Sequence, residues 1–222
     1  MDDELSVPFK YRTMAEIAFL NIKGGILKGT YPPETKLIPA NLEKELGLGR
    51  IAIREALKEL SGLGLVVLTP NKEARVAHPP TIEEIKEIFE IRCLLEGKAA
   101  QLATPQISLQ TVQGLEELHL KMSTNPIPFE DYFFLNREFH LKIYSNSGWS
   151  YLCRVIAQLI EQVQSFRSRY PFEPQDFYSF NKDHQKILEA IRDVNPEKVR
   201  ELIVTNIQRG FETLIKVYAK TA

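Results

Sequence analysis

Over the first 78 residues the hydrophobic period changes once, and where it changes leaves few folds open. Met14, Ile17, Ala18, Leu20, Ile22, Ile26 and Leu27 recur mostly at helical spacing, with Gly29 and the pair Pro32-Pro33 closing the segment. The pair Gly24-Gly25 weakens the last turn of this helix. Residues 39–47 read as a short second helix that Gly47 closes. A third helix runs over about residues 49–60, with Ile53, Leu57 and Leu60 on one face and Arg50, Arg54 and Lys58 on another. Past Gly62 and Gly64 the period shortens: Leu65-Val66-Val67-Leu68 is a β-type run, Pro70-Asn71 a turn, and Ala74-Arg75-Val76-Ala77 a second short strand. Helix, short helix, helix and hairpin form a winged helix-turn-helix.

His78-Pro79-Pro80 punctuates the chain and marks a boundary between domains at 1–78 and 79–222. Beyond it everything reads as helix. Thr81 and Glu84 form a capping-box pair ahead of Ile85, Ile88 and Phe89. Prolines and a glycine (Pro105, Pro126, Pro128, Gly148, Pro171, Pro174, Pro196) divide the remainder into six helices, at about 81–103, 107–122, 128–145, 150–170, 175–193 and 196–219. The expected fold is mainly α, with a six-helix antiparallel bundle following the winged head.

Charge is close to balanced at −1 over 222 residues, but it is unevenly placed. Residues 5–78 hold eleven Lys/Arg against seven Asp/Glu, a modest surplus on the winged domain. No apolar run approaches the ~18 residues of a membrane span. The first residues are acidic, unlike a secretory leader, and two cysteines make neither a framework nor a CxxC pair, so the expected compartment is the cytoplasm.

Arg50 and Arg54 stand four residues apart, on one helical face. A guanidinium fork donates twice to guanine O6 and N7 in the major groove, at roughly 1–3 kcal/mol of discrimination per good pair. The same arginines would also suit a solvated surface, with Arg54 paired to a nearby glutamate. The wider pattern weighs on this choice: Pro33-Glu34-Thr35-Lys36-Leu37, then Arg50-x-x-Ile53-Arg54-Glu55-Ala56-Leu57-x-x-Leu60, then Gly64-Leu65-Val66 resembles the DNA-binding domain of the GntR family of bacterial regulators. That resemblance covers about residues 11–78. It implies base reading by Arg50 and Arg54, contributions from Ile51 and Lys58 on the same helix, and a wing contact from Lys72. Three positions depart from the pattern: Gly49 replaces a small polar residue, Ala52 a proline, and Glu73 a wing-tip glycine. A glutamate near phosphates is unfavourable.

In the second domain, the stretch from Glu90 to Ala100, the run Asn136-Arg137-Glu138-Phe139-His140, the run from Asp183 to Ile191 and the region of Asn206 resemble the FCD domain, the helical effector module of the FadR-type GntR branch. Six helices resemble its VanR-like subgroup. Many members bind a divalent metal of the zinc or nickel class through an aspartate and three histidines. The matching positions are Asn136, His140, His184 and Asn206. Two ligands are therefore neutral amides, which are poor donors for such ions. His140 and His184 are then either a weakened metal pair, hydrogen-bonded core histidines, or the lining of a pocket for a small organic acid. Arg92 either meets that acid or pairs with Glu96 one turn on. Trp149, Phe133, Phe134 and Phe139 read as core or packing residues.

The resulting expectation is a homodimeric regulator, a repressor, that binds double-stranded DNA at a palindromic operator under control of a small organic acid. A constitutive DNA binder with a silent pocket is the alternative. A metal hydrolase using His140 and His184 finds no support from HExxH, a Gly-rich phosphate loop or Gly-x-Ser-x-Gly, and the chain reads as a non-enzyme.

Overall fold

The structure, a computed structural model, describes residues 13–69, 73–124, 127–167, 170 and 172–221. The chain divides into two compact units, 1–78 and 79–222.

The first unit contains α1 (Met14–Leu27), α2 (Pro39–Leu46), α3 (Arg50–Gly62), β1 (Val66–Leu68) and β2 (Ala74–Val76). Thr13 opens α1 with a capping box closed by Glu16. Pro39 sits in the first turn of α2, and Gly47 ends that helix at φ 66°, a left-handed backbone that suits glycine. The strands pair antiparallel with Val66 opposite Val76. One face of each element is apolar, and these faces meet: Ala18, Ile22, Leu42, Ile53, Leu57, Leu60, Val66 and Val76 share a single core.

Two features go beyond the sequence reading. Helix α1 runs through Gly24 and Gly25, and a side chain at Gly25 would collide with the ring of Tyr31, which packs there. The segment after Pro33 is extended. Glu34 and Leu37 donate backbone hydrogen bonds to Val76 and Ala74, so it lies along β2 as a third strand-like edge.

The second unit comprises α4 (Ile82–Ala103), α5 (Leu109–Met122), α6 (Phe129–Tyr144), α7 (Ser150–Arg167), α8 (Pro174–Arg192) and α9 (Pro196–Thr221). The Thr81–Glu84 capping box is formed, and Ser108 caps α5 after a 3-10 turn at Thr104–Gln106. Helix α4 packs against α6, α7 and α9, which makes it the axis of the bundle. Gly97 lets α9 approach closely, because a methyl group there would press on Val204 at 3.1 Å. An aromatic cluster fills one end, where Tyr132 stacks on Phe177 at 4.1 Å and Phe129, Phe133 and Phe172 meet edge to face. Phe133 and Phe139 are buried, but Phe134 and Trp149 stand more than half exposed and are not core residues.

Candidate functional site

Helix α3 buries Ala52, Ile53, Ala56, Leu57 and Leu60, which turns the remaining stripe outward. Arg50, Ile51, Arg54 and Lys58 are all exposed on that stripe. Ile51 is 77% exposed. Arg50 donates through Nε to Glu43 on α2 at 2.5 Å, which ties the side chain to the neighbouring helix. Among the described residues, Arg54 and Lys58 make no ion pair. The surface-pair alternative for Arg54 therefore finds no partner. Gly49 precedes α3 without any side-chain cap, so the first backbone N–H groups of the helix lack a side-chain acceptor.

Lys72 lies outside the described residues. Next to it, Glu73 is not a bare negative charge. Lys36 binds its Oε1 at 2.7 Å and Arg75 at 3.1 Å, and these cations, the Lys36 hydrogen bond foremost, hold the carboxyl below its ordinary range. The expected repulsion from a wing glutamate is thus offset by two neighbours on the adjoining strands. Sequence reasoning missed Lys36 and Arg75 as cations of this face; the one available signal was their position in paired extended segments.

The second site is internal. Arg92 and Glu96 lie one turn apart on α4, and Arg92 Nε donates to Glu96 Oε1 at 2.5 Å, with side chains 10% and 0% exposed. Of the two sequence readings for Arg92, the intrahelical pair is formed. The other oxygen of Glu96 accepts the hydroxyl of Tyr144 at 2.7 Å, and Tyr144 Oη lies 3.1 Å from His140 Nδ1. The tyrosine hydroxyl donates its one proton to Glu96 and meets His140 Nδ1 through its oxygen. Arg92, Glu96, Tyr144 and His140 thus form a continuous buried chain from α4 to α6.

His184 on α8 is fully buried, with its ring 5.4 Å from that of His140 and 6.4 Å from that of His119 on α5. Neither ring nitrogen of His184 has a hydrogen-bond partner, and the Asn206 amide nitrogen on α9 and Arg167 Nε also lack one. Desolvation drives His140 down to about 4, countered by Glu96, and holds His184 well below its ordinary value, so both are neutral imidazoles near pH 7. Asn136 is half-buried on α6. Tyr144, Arg167 and His119 were missed from sequence. Tyr144 follows His140 at helical spacing, a signal that was available, whereas Arg167 offered none.

The donor chemistry does not fit a resident divalent metal. The two further positions that the resemblance matches to ligands hold the neutral amides of Asn136 and Asn206, and among the described residues no group of three His, Cys, Asp or Glu converges to hold an ion. The expected His140–His184 metal pair is therefore not completed into a coordination set.

A winged head with a basic helix face, followed by a helical bundle with a polar interior, defines a class: a DNA-binding protein with a separate helical domain. Family comparison agrees in both parts. Residues 15–76 match the gntR family of bacterial regulatory proteins, and residues 87–209 match the FCD domain. The chain is 26% identical over 202 residues to the HTH-type transcriptional regulator McbR of Escherichia coli, covering 89% of this chain and 91% of that protein. It is 23% identical over 190 residues to the Nta operon transcriptional regulator of Aminobacter aminovorans, covering 84% and 88%. The solved structure of E. coli McbR/YncC superposes with a TM-score of 0.77 at 24% identity, over 94% of this chain and all of that one. The chain belongs to the GntR family of bacterial regulatory proteins, in the group that carries an FCD effector domain, and is a DNA-binding transcriptional regulator.

Proposed function

We propose that this regulator binds a palindromic operator as a homodimer, reads bases with Arg50, Ile51, Arg54 and Lys58 on α3, and lowers its operator affinity when a small organic acid enters the polar interior of residues 79–222. Two recognition helices related by a two-fold axis meet two half-sites about one helical turn apart. Occupation of such a site represses by occlusion. The chain acts in the cytoplasm and catalyses no reaction. Lys72, the neighbour of Glu73 in sequence, adds a phosphate contact.

One observation carries the sensing role: both nitrogens of the fully buried His184 are without partners. Burying a polar group unbonded costs about 1–3 kcal/mol, so a native domain keeps one where something else pairs with it. Arg92, Asn136, His140, His184 and Asn206 are the residues assigned to this pocket, with Arg92 acting through Glu96 rather than alone. No metal takes part. Ligand binding switches DNA affinity only if the acid prefers one arrangement of the DNA-binding heads.

The test is fluorescence anisotropy of the full chain on its promoter DNA, against a panel of small carboxylates. A carboxylate that weakens binding at fixed salt is the expected result. Operator binding that no acid alters would leave a constitutive DNA binder.

A further inference from the structure

Two arginines and one glutamate face His140 in the buried cluster. Glu96 is fully committed, one oxygen to Arg92 and the other to Tyr144. Arg167, the last residue of α7, is 8% exposed, and among the described residues no carboxylate pairs with it. Its guanidinium lies 4.2 Å from the ring centre of Phe133 and 5.2 Å from that of Phe172. Those ring faces and the carbonyl end of α7 hold a cation without neutralising it. Desolvation, with repulsion from Arg92 next, pulls Arg167 down to about 9, so it remains charged near pH 7. With both imidazoles neutral, the charges facing His140 sum to one uncompensated positive charge, while the other buried carboxylates, Glu161 and Asp183, are paired with Arg137 and Arg209.

We propose that Arg167 is the charge-selecting anchor of this site, and that the site takes a ligand bearing a single carboxylate, held directly by protein nitrogens. The proposal rests on the reading of residues 79–222 as an acid sensor. A carboxylate meets the planar fork of Arg167 in the geometry that a guanidinium favours. It brings one negative charge to one positive charge, so the closed site becomes neutral. A dicarboxylate would leave a second anion buried without a partner, and a neutral or cationic ligand would leave Arg167 as it stands. The ring faces of Phe133 and Phe172 beside the guanidinium suit an apolar body behind the carboxylate. The unpaired nitrogens of His184 provide one donor and one acceptor for any further polar atom.

An unpaired buried charge also has a cost that is visible without ligand. Replacing it with an apolar side chain of similar length relieves that cost, a stability held back for function. The experiment is thermal unfolding of the full-length wild type, Arg167→Met and Arg167→Lys, each alone and with propionate, benzoate, malonate or succinate. Arg167→Met is expected to melt several degrees above the wild type without acid. A monocarboxylate is expected to raise the wild-type midpoint more than either dicarboxylate does. That rise should vanish in Arg167→Met and persist in part in Arg167→Lys. Arg167→Met melting at or below the wild type would make the residue structural and overturn the proposal. So would an acid-induced rise equal in Arg167→Met and wild type, or a larger rise from a dicarboxylate; both outcomes leave the sensor reading standing. Failure of every acid to move the wild-type midpoint would instead sink the sensor reading, and the anchor with it.

Discussion

Truncating Glu96 should be among the most damaging single changes in the second unit, and the structure sets its size. Its side chain is fully buried, the guanidinium beside it is nearly so, and both its oxygens are engaged. Glu96→Ala leaves Arg92 as an uncompensated buried cation, which costs about 3–5 kcal/mol when one partner of such a pair is removed. The Tyr144 hydroxyl loses its acceptor as well, adding about 1 kcal/mol. Domains have stabilities of roughly 5–15 kcal/mol, so the variant should stand near its unfolding threshold. The matched control is Arg92→Met with Glu96→Leu, which removes both charges together. It should recover most of the loss, because the pair's mutual attraction little more than offsets its own desolvation. Urea unfolding followed by tryptophan emission reports the second unit selectively, since Trp149 is the chain's single tryptophan. The expected result is a large fall in midpoint at nearly constant slope for Glu96→Ala, and a small one for the double variant. A loss below about 1 kcal/mol for Glu96→Ala, or a double variant as unstable as the single one, would refute a dry, coupled ion pair at the bundle axis.

The buried histidines predict a pH dependence. His140 titrates at about 4 in the fold against 6.5 when exposed, so between these values the unfolded chain takes up a proton that the folded chain refuses. Stability from this group is complete above pH 6.5 and is lost as pH falls toward 4, by about 3 kcal/mol in all. His184 and His119, also shifted down, add loss of the same sign. Urea midpoints that stay level from pH 7 to pH 5 would contradict this. On the DNA side, Arg50→Ala and Arg54→Ala should each cost about 1–3 kcal/mol at the operator and far less on unrelated sequence, in anisotropy titrations. Lys72→Ala should weaken both equally and lower the salt slope by about one. Glu73→Gln should release Lys36 and Arg75 from their shared partner, steepening the salt dependence of binding; an unchanged slope would place those cations away from DNA.

The sequence by itself determined the elements, because the forces that set them act within a few residues. Hydrophobic spacing put Ile53, Leu57 and Leu60 inward on α3, and therefore Arg50, Arg54 and Lys58 outward. The Thr81–Glu84 capping box and the proline and glycine punctuation lie within a turn of the boundaries that they set. The reason for a glycine at position 25 lay outside those local rules, because it leaves the space that the Tyr31 ring occupies. Only the tertiary structure decided the interior of the second unit. Glu96 and Tyr144 are 48 residues apart in sequence, and neither residue type announces a partner at that distance. Arg92 was within reach of either Glu96 or a ligand until the burial of α4 closed the first contact. Arg167 carries no local signature. Its importance is a matter of charge balance in a space with little water, which depends on every group that packing brings there and on the partner that packing withholds.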